Sequence, residues 1–265
     1  MLEKGKETLV GVTILMKALN VDNAMVGIES NKSDAIEHLK ELSKQFSGIS
    51  IHSLTVKYPQ GAEKQLIKAL ANREVPSGKL PIDVGIVVHN VATAYAVYEA
   101  VQKNKPLLER IVTITGKSLS NPGNYLVRIG SSVRSLIEAA GGLSDDTGKV
   151  VSGGPMMGKA IQNIDVPVVK GMSGIILFPD SESAREEVKP CIRCAKCIAA
   201  CPMNLEPHLL ANASMKAMFE LAENEKITDC MECGSCSYVC PAGRPLLDYI
   251  RLGKSTVIKT IQKRN

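Results

Sequence analysis

Two stretches of this chain repeat one arrangement of thiols. The first reads Cys191-x-x-Cys194-x-x-Cys197-x-x-x-Cys201-Pro202, the second Cys230-x-x-Cys233-x-x-Cys236-x-x-x-Cys240-Pro241, and no cysteine lies outside them. Three thiolates at two-residue gaps curl around one [4Fe–4S] cubane. A fourth, three residues on and stopped by proline, turns away and ligates the other cluster. The expected ligand sets therefore cross between the runs. One is Cys191, Cys194, Cys197 and Cys240; the other is Cys230, Cys233, Cys236 and Cys201.

Two other chemistries use cysteine in this number. A disulfide framework suits small secreted domains, and this chain has 265 residues and no basic segment followed by an apolar one at its start. Structural zinc wants separated Cys-x-x-Cys pairs, not three consecutive steps closed by Cys-Pro. Iron–sulfur chemistry is the expectation, in a reducing compartment. No run of 18 uncharged apolar residues is present, so a membrane-spanning helix is not expected. Three Phe and no Trp leave little for base stacking, so nucleic acid is not an expected partner. The formal charge is +5; two oxidised clusters at roughly −2 each, thiolates included, bring the loaded protein near neutrality.

The elements that must position these thiols fall into three expected domains. Residues 1–107 alternate helical and strand-like periods, with strands at Ala24–Ile28, Ile49–Val56 and Ile82–Val88 between helices. That order implies a Rossmann-like α/β domain with a mostly parallel sheet. It opens on a helix and carries no G-x-G-x-x-G loop, so an incomplete domain is expected. Residues 108–180 read as strands at Ile111–Thr115, Tyr125–Ile129, Val150–Val151, Val166–Val169 and Ile175–Phe178 around one helix, Ser131–Ala140. One helix on a small mixed sheet is a β-grasp arrangement. A tight loop, Gly153-Gly154-Pro155-Met156-Met157-Gly158, interrupts it, and the methionine pair reads as packing. Residues 181–265 read as an all-α, ferredoxin-like domain for two clusters, with one helix spanning Leu205–Lys226. Its amphipathic end from Arg244 to Asn265 carries a basic face that reads as solvated, or as a docking surface.

Taken together, these segments resemble the C subunit of the Rnf complex, the ion-translocating ferredoxin:NAD oxidoreductase of bacterial membranes. The resemblance is carried by Met1-Leu2-Glu3-Lys4, the Gly153–Gly158 loop, Lys189-Pro190-Cys191-Ile192-Arg193-Cys194, and Asp229-Cys230-Met231-Glu232-Cys233-Gly234-Ser235-Cys236. This family is similar in turn to the flavin- and NADH-binding subunit of respiratory complex I, and cobalamin reductases share the layout. The resemblance implies a flavin pocket at Tyr58, Gly61 and Glu63 in one segment and His89, Asn90 and Thr93 in another. Ala62 and His89 depart from the complex I pattern of paired acids and paired asparagines. Turn and helix-cap chemistry explains the same residues without a cofactor.

The implied cofactors are two [4Fe–4S] clusters, with FMN and NADH in the full-length family. The implied partners are other subunits of a membrane electron-transport complex and a ferredoxin-like protein, at the cytoplasmic face of the membrane. Three functions stay open: an electron-transfer subunit of an ion-translocating oxidoreductase, a cobalamin reductase, or a cluster-bearing carrier without an active site of its own.

Overall fold

The structure, a computed structural model, describes residues 1–117 and 119–264. It is a mixed α/β chain in two compact units, 1–107 and 108–265. Asn265, the last residue of the expected basic end, lies outside the described residues, as does Ser118 in the turn between the first two expected sheet strands.

In the first unit, α1 (Gly5–Leu19) leads to β1 (Ala24–Glu29), α2 (Ser33–Ser43), β2 (Ile49–Leu54), α3 (Glu63–Ala71) and α4 (Val91–Lys103). The two strands pair in parallel from Ala24↔Ile49 to Glu29↔Leu54, which requires a crossover such as α2 supplies. Leu9, Met16, Ile28, Ile36, Leu39 and Ile49 form the core beneath them. Helices α1 and α4 cross so closely that a Cβ on Gly11 would lie 1.8 Å from the Ala94 carbonyl oxygen. Asn20, Asn72 and Asn104 end α1, α3 and α4 in the left-handed conformation, which asparagine tolerates better than most residues.

The expected strand at Ile82–Val88 does not form. Pro81–Val84 is a turn of 3-10 helix, with the Asp83 carboxylate accepting from the Leu80 N–H at 2.7 Å and Gly85 left-handed at φ 70°. Proline fixes φ and brings no ladder donor. Ile82 stays 62% exposed, so no sheet face buries it. Among the described residues the parallel sheet has two strands.

The second unit begins with a five-stranded mixed sheet in the order β4-β3-β7-β5-β6, built from β3 (Glu109–Gly116), β4 (Gly123–Arg128), β5 (Thr147–Ser152), β6 (Lys159–Ile161) and β7 (Gly174–Pro179). Helix α5 (Val133–Ala139) joins its core through Val133, Leu136 and Ile137, against Val112, Ile114, Val127, Val150, Ile175 and Leu177. Residues Val166–Val169, expected as a strand, make one isolated bridge, Ser132↔Pro167. Their backbone instead serves the entry to α5, where Val133 N donates to Val166 O and Val168 N to Ser131 O. The short strand β6 takes the sheet-edge place instead and closes a hairpin with β5 across the Gly153–Gly158 loop.

Six short or medium helices follow: α6 (Asp180–Ser183), α7 (Lys196–Ala199), α8 (Pro207–Met215), α9 (Phe219–Asn224), α10 (Ser235–Tyr238) and α11 (Leu246–Arg264). The helix expected over Leu205–Lys226 breaks at Ala217, left-handed at φ 53°, where Met218 N reaches back to Ala213 O. That is a helix-terminating turn with alanine in the place glycine usually fills.

Candidate metal centre

The two cysteine runs fold as one structure used twice, each position recurring 39 residues later. Arg193 and Ala195 are left-handed, and so are Glu232 and Gly234; Asn204 and Gly243 also match. Helix α7 corresponds to α10, and the starts of α8 and α11 correspond. The turn bonds repeat too: Cys201 N to Ile198 O matches Cys240 N to Ser237 O, and Asn204 N to Cys201 O matches Gly243 N to Cys240 O. Left-handed residues after the first and second cysteines turn the chain back on itself in both runs. The proline after each fourth cysteine ends the turn and hands the chain to the next helix.

Helices α8 and α11 cross at equivalent residues. A Cβ on Gly253 would lie 2.0 Å from Ser214 Oγ, so the pair touches where the two halves meet. The crossing folds the halves together and puts the fourth thiol of each run beside the other run. Cys201 lines one apolar cavity with Cys230, Cys233 and Cys236, walled by Met203, Leu205, Leu210, Leu247 and Ile250. Cys240 is close enough to Cys197 to act on its thiol electrostatically. Among the described residues, no three His, Cys, Asp or Glu side chains converge tightly enough to share a single ion. Tetrahedral zinc needs sulfurs about 3.8 Å apart, from Zn–S bonds of about 2.3 Å; a cubane holds thiolates on its outer corners and needs more room.

Burial separates the two groups of thiols. Cys191 and Cys194 are exposed and Cys197 partly buried, while Cys233 and Cys236 are buried. Burial pushes the Cys236 thiol from an ordinary 9.0 up to about 12, with Cys230, Cys233 and Cys201 adding to the effect. Cys230 is raised mainly by burial, against the pull of the Glu232 N–H and the Lys254 charge; Cys197 is raised mainly by burial as well. Cysteine holds iron as the thiolate, so binding there would release the proton of each buried thiol. Polar partners also meet the sulfurs: Leu205 N donates to Cys201 Sγ at 3.4 Å, and Cys233 Sγ donates to Ser235 Oγ at 3.5 Å. The cavity lined by Cys201, Cys230, Cys233 and Cys236 fits a four-iron cluster; in the other group Cys240 stands near Cys197, while Cys191 and Cys194 are exposed.

Cover for the second loop comes from the sheet. The Met156 carbonyl lies against Gly234, where a Cβ would stand 2.8 Å from its oxygen, and the Met157 carbonyl accepts from Arg251 Nη2 at 3.3 Å. The methionine loop thus works through its main chain, a role its side chains did not announce. The basic end also reads differently in three dimensions. Lys254 and Arg251 both pair with Glu232, and Arg264 pairs with Glu223 at 3.0 Å. Much of the charge expected on a solvated docking face is engaged within the chain.

The six residues suggested for a flavin pocket occupy two helix entrances in the first unit, all of them exposed. Tyr58 precedes Pro59 through a cis bond, Gly61 leads into α3, and Glu63 is its first residue. A Cβ on Gly61 would meet nothing within 4 Å, so a ligand could approach its backbone. Asn90 caps α4, its Oδ1 accepting from Ala92 N at 2.9 Å, with His89 before it and Thr93 in the first turn. Exposed helix N-termini suit a phosphate group.

Comparison with known proteins gives this geometry a context. Residues 1–99 match the family described as the Nuo51 FMN-binding domain, 111–160 the SLBB domain and 183–241 the 4Fe-4S dicluster domain. The C subunit of the proton-translocating ferredoxin:NAD(+) oxidoreductase complex of Clostridium ljungdahlii is 47% identical over 96% of this chain and 56% of its own length. The Na(+)-translocating counterpart of Acetobacterium woodii is 43% identical over 100% of this chain and 60% of its own. An NAD+-reducing [NiFe]-hydrogenase chain shares the fold, with a TM-score of 0.63 at 15% identity over 96% of this chain and 52% of that one. Fold and site define an iron–sulfur protein with a flavin-type domain and a dicluster domain. The chain belongs to the family of C subunits of ion-translocating ferredoxin:NAD(+) oxidoreductase complexes, and it spans little more than half the length of these relatives.

Proposed function

We propose that this chain carries single electrons within a membrane complex that couples electron flow between ferredoxin and NAD to ion translocation. The observation that carries this reading is the crossed grouping of thiols, with Cys201 lining the cavity of the second run and Cys240 beside the first. Cys201, Cys230, Cys233 and Cys236 would hold one four-iron cluster, and Cys191, Cys194, Cys197 and Cys240 the other. Bound clusters supply one-electron storage, and a flavin the conversion between a hydride pair and single electrons. The apolar wall of Leu205, Leu210, Leu247 and Ile250 keeps water from the inner group, and the exposed Cys191 and Cys194 leave the outer one open to a partner.

On this reading the three domains are a Rossmann-like flavin domain over 1–107, a β-grasp domain over 108–180 and a helical dicluster domain over 181–265. Tyr58, Gly61, Glu63, His89, Asn90 and Thr93 would line the flavin and NADH side. No described helix is long and apolar enough to cross a membrane. Attachment at the cytoplasmic face would therefore run through other subunits, the exposed Lys259 and Lys263 among the contacts. The test is elemental analysis of the anaerobically purified chain. About eight iron and eight acid-labile sulfide per chain are expected; stoichiometric zinc without iron would overturn the reading.

A further inference from the structure

The two cysteine loops share one backbone, so differences around them stand out against a constant frame. At the Cys230 loop a lysine reaches in from α11. Lys254 Nζ donates to the Cys230 carbonyl at 2.6 Å and stands 3.3 Å from Glu232 Oε1, with its side chain only 19% exposed. Arg251, one turn earlier, donates from Nε to Glu232 Oε2 at 3.0 Å. Two cations meet the Glu232 carboxylate against the backbone that carries the inner thiols. At the corresponding positions of the first half stand Arg193, Asn212 and Met215. Arg193 is exposed, and Asn212 Oδ1 accepts from Arg244. The Lys254–Glu232–Arg251 cluster therefore has no copy among the described residues of the first half, where the Arg244 guanidinium reaches Asn212 Oδ1 and Met215 Sδ instead.

Reducing a four-iron centre adds a negative charge, and a desolvated site opposes that charge. A fixed cation nearby offsets the opposition, the more strongly because little water intervenes. Resting on the cluster assignment above, we propose that Lys254 tunes the inner centre: with Arg251 it holds the reduction potential above the value burial alone would impose, and Glu232 moderates the effect. The two centres can then exchange electrons although one is buried and the other open.

The competing role is purely mechanical, with Lys254 tying α11 to the loop. The two roles differ in sign. If charge is what matters, Lys254→Met lowers the potential of the inner centre and Glu232→Gln raises it. A mechanical role moves both variants the same way or neither.

The experiment is an EPR-monitored redox titration of the full chain loaded with its clusters. The outer centre is identified by its altered signal in Cys191→Ser. Lys254→Met should shift the inner potential downward, Glu232→Gln upward, and Lys254→Arg should stay near the parent, with the outer potential unmoved throughout. Potentials unchanged in the loaded variants, or shifted with one sign in both, would overturn the proposal. Should Lys254→Met lose iron, Glu232→Gln decides alone: an upward shift of the inner centre supports tuning, and no shift or a downward one refutes it. A parent chain without two four-iron signals would sink the cluster assignment itself, and this inference with it.

Discussion

At the Cys191 loop the first two thiols meet solvent; at the Cys230 loop the same turn is roofed by the Met156 carbonyl and braced by Lys254 and Arg251. The ligand spacing is identical and the left-handed residues fall at identical places. The turn that carries the first three thiols is thus a local property of each run, whereas its environment is assembled from a sheet loop and a helix remote in sequence. One motif can therefore stand in two environments, one open to solvent and one sheltered.

The largest effect should come from breaking the crossing between the halves. Cys201→Ala is expected to abolish the inner centre and spare the outer, leaving about four of eight iron per chain, and Cys240→Ala should do the reverse. Cluster-resolved spectra check this; loss of the Cys191 centre in Cys201→Ala would show that each run closes on itself. Next in size is the contact between α8 and α11. Gly253→Ala drives a methyl into Ser214 Oγ, 2.0 Å away, and should cost about 1–3 kcal/mol in denaturant unfolding. Both cluster signals should weaken together, and adding Ser214→Gly should recover part of the loss.

Equivalent turn residues allow a smaller and sharper comparison. Gly234→Ala places a Cβ at φ 85° and 2.8 Å from Met156 O, and should destabilise by roughly 2 kcal/mol. Its counterpart Ala195 already holds φ 59° in the open, so Ala195→Gly should be neutral or stabilising by up to about 1 kcal/mol. Equal responses at the two positions, measured by thermal unfolding, would remove the claimed difference in cover.

The smallest effect concerns pH. Burial raises Cys197, Cys230 and Cys236 in the folded, iron-free chain, so folding favours their neutral forms. That contribution is complete below the ordinary thiol value of 9.0 and is lost as pH climbs towards about 12. The unfolding midpoint of iron-free chain should hold between neutrality and that ordinary value, then fall. A midpoint that rises over the upper range would contradict the burial described for Cys236.

Much of this molecule is written locally. Apolar periodicity places α1, α2 and α4, and the two-residue gaps with a closing Cys-Pro single out all eight thiols. What the sequence hides depends on partners. Ile82–Val88 is rich enough in branched residues for a strand but begins beside Pro81 and finds no neighbour. Val166–Val169 is equally strand-like and is claimed by the entry to α5. Lys254 and Arg251 look like solvated cations on an amphipathic helix, because period alone cannot say that Glu232 waits beneath them. Aligning the chain with itself at the repeat would have exposed them: the halves agree in cysteines and turns, yet Arg193, Asn212 and Met215 stand where the second half has Glu232, Arg251 and Lys254.

The shelter that the Met156 loop gives the Cys230 turn also sets an order of damage. Oxidants act on sulfur they can reach, and Cys191 and Cys194 stand outermost. Exposure to air should strip the open half first and leave a chain that still holds its inner half. Ageing of this protein would then pass through a defined half-intact form, cut off from its surroundings before its interior is harmed.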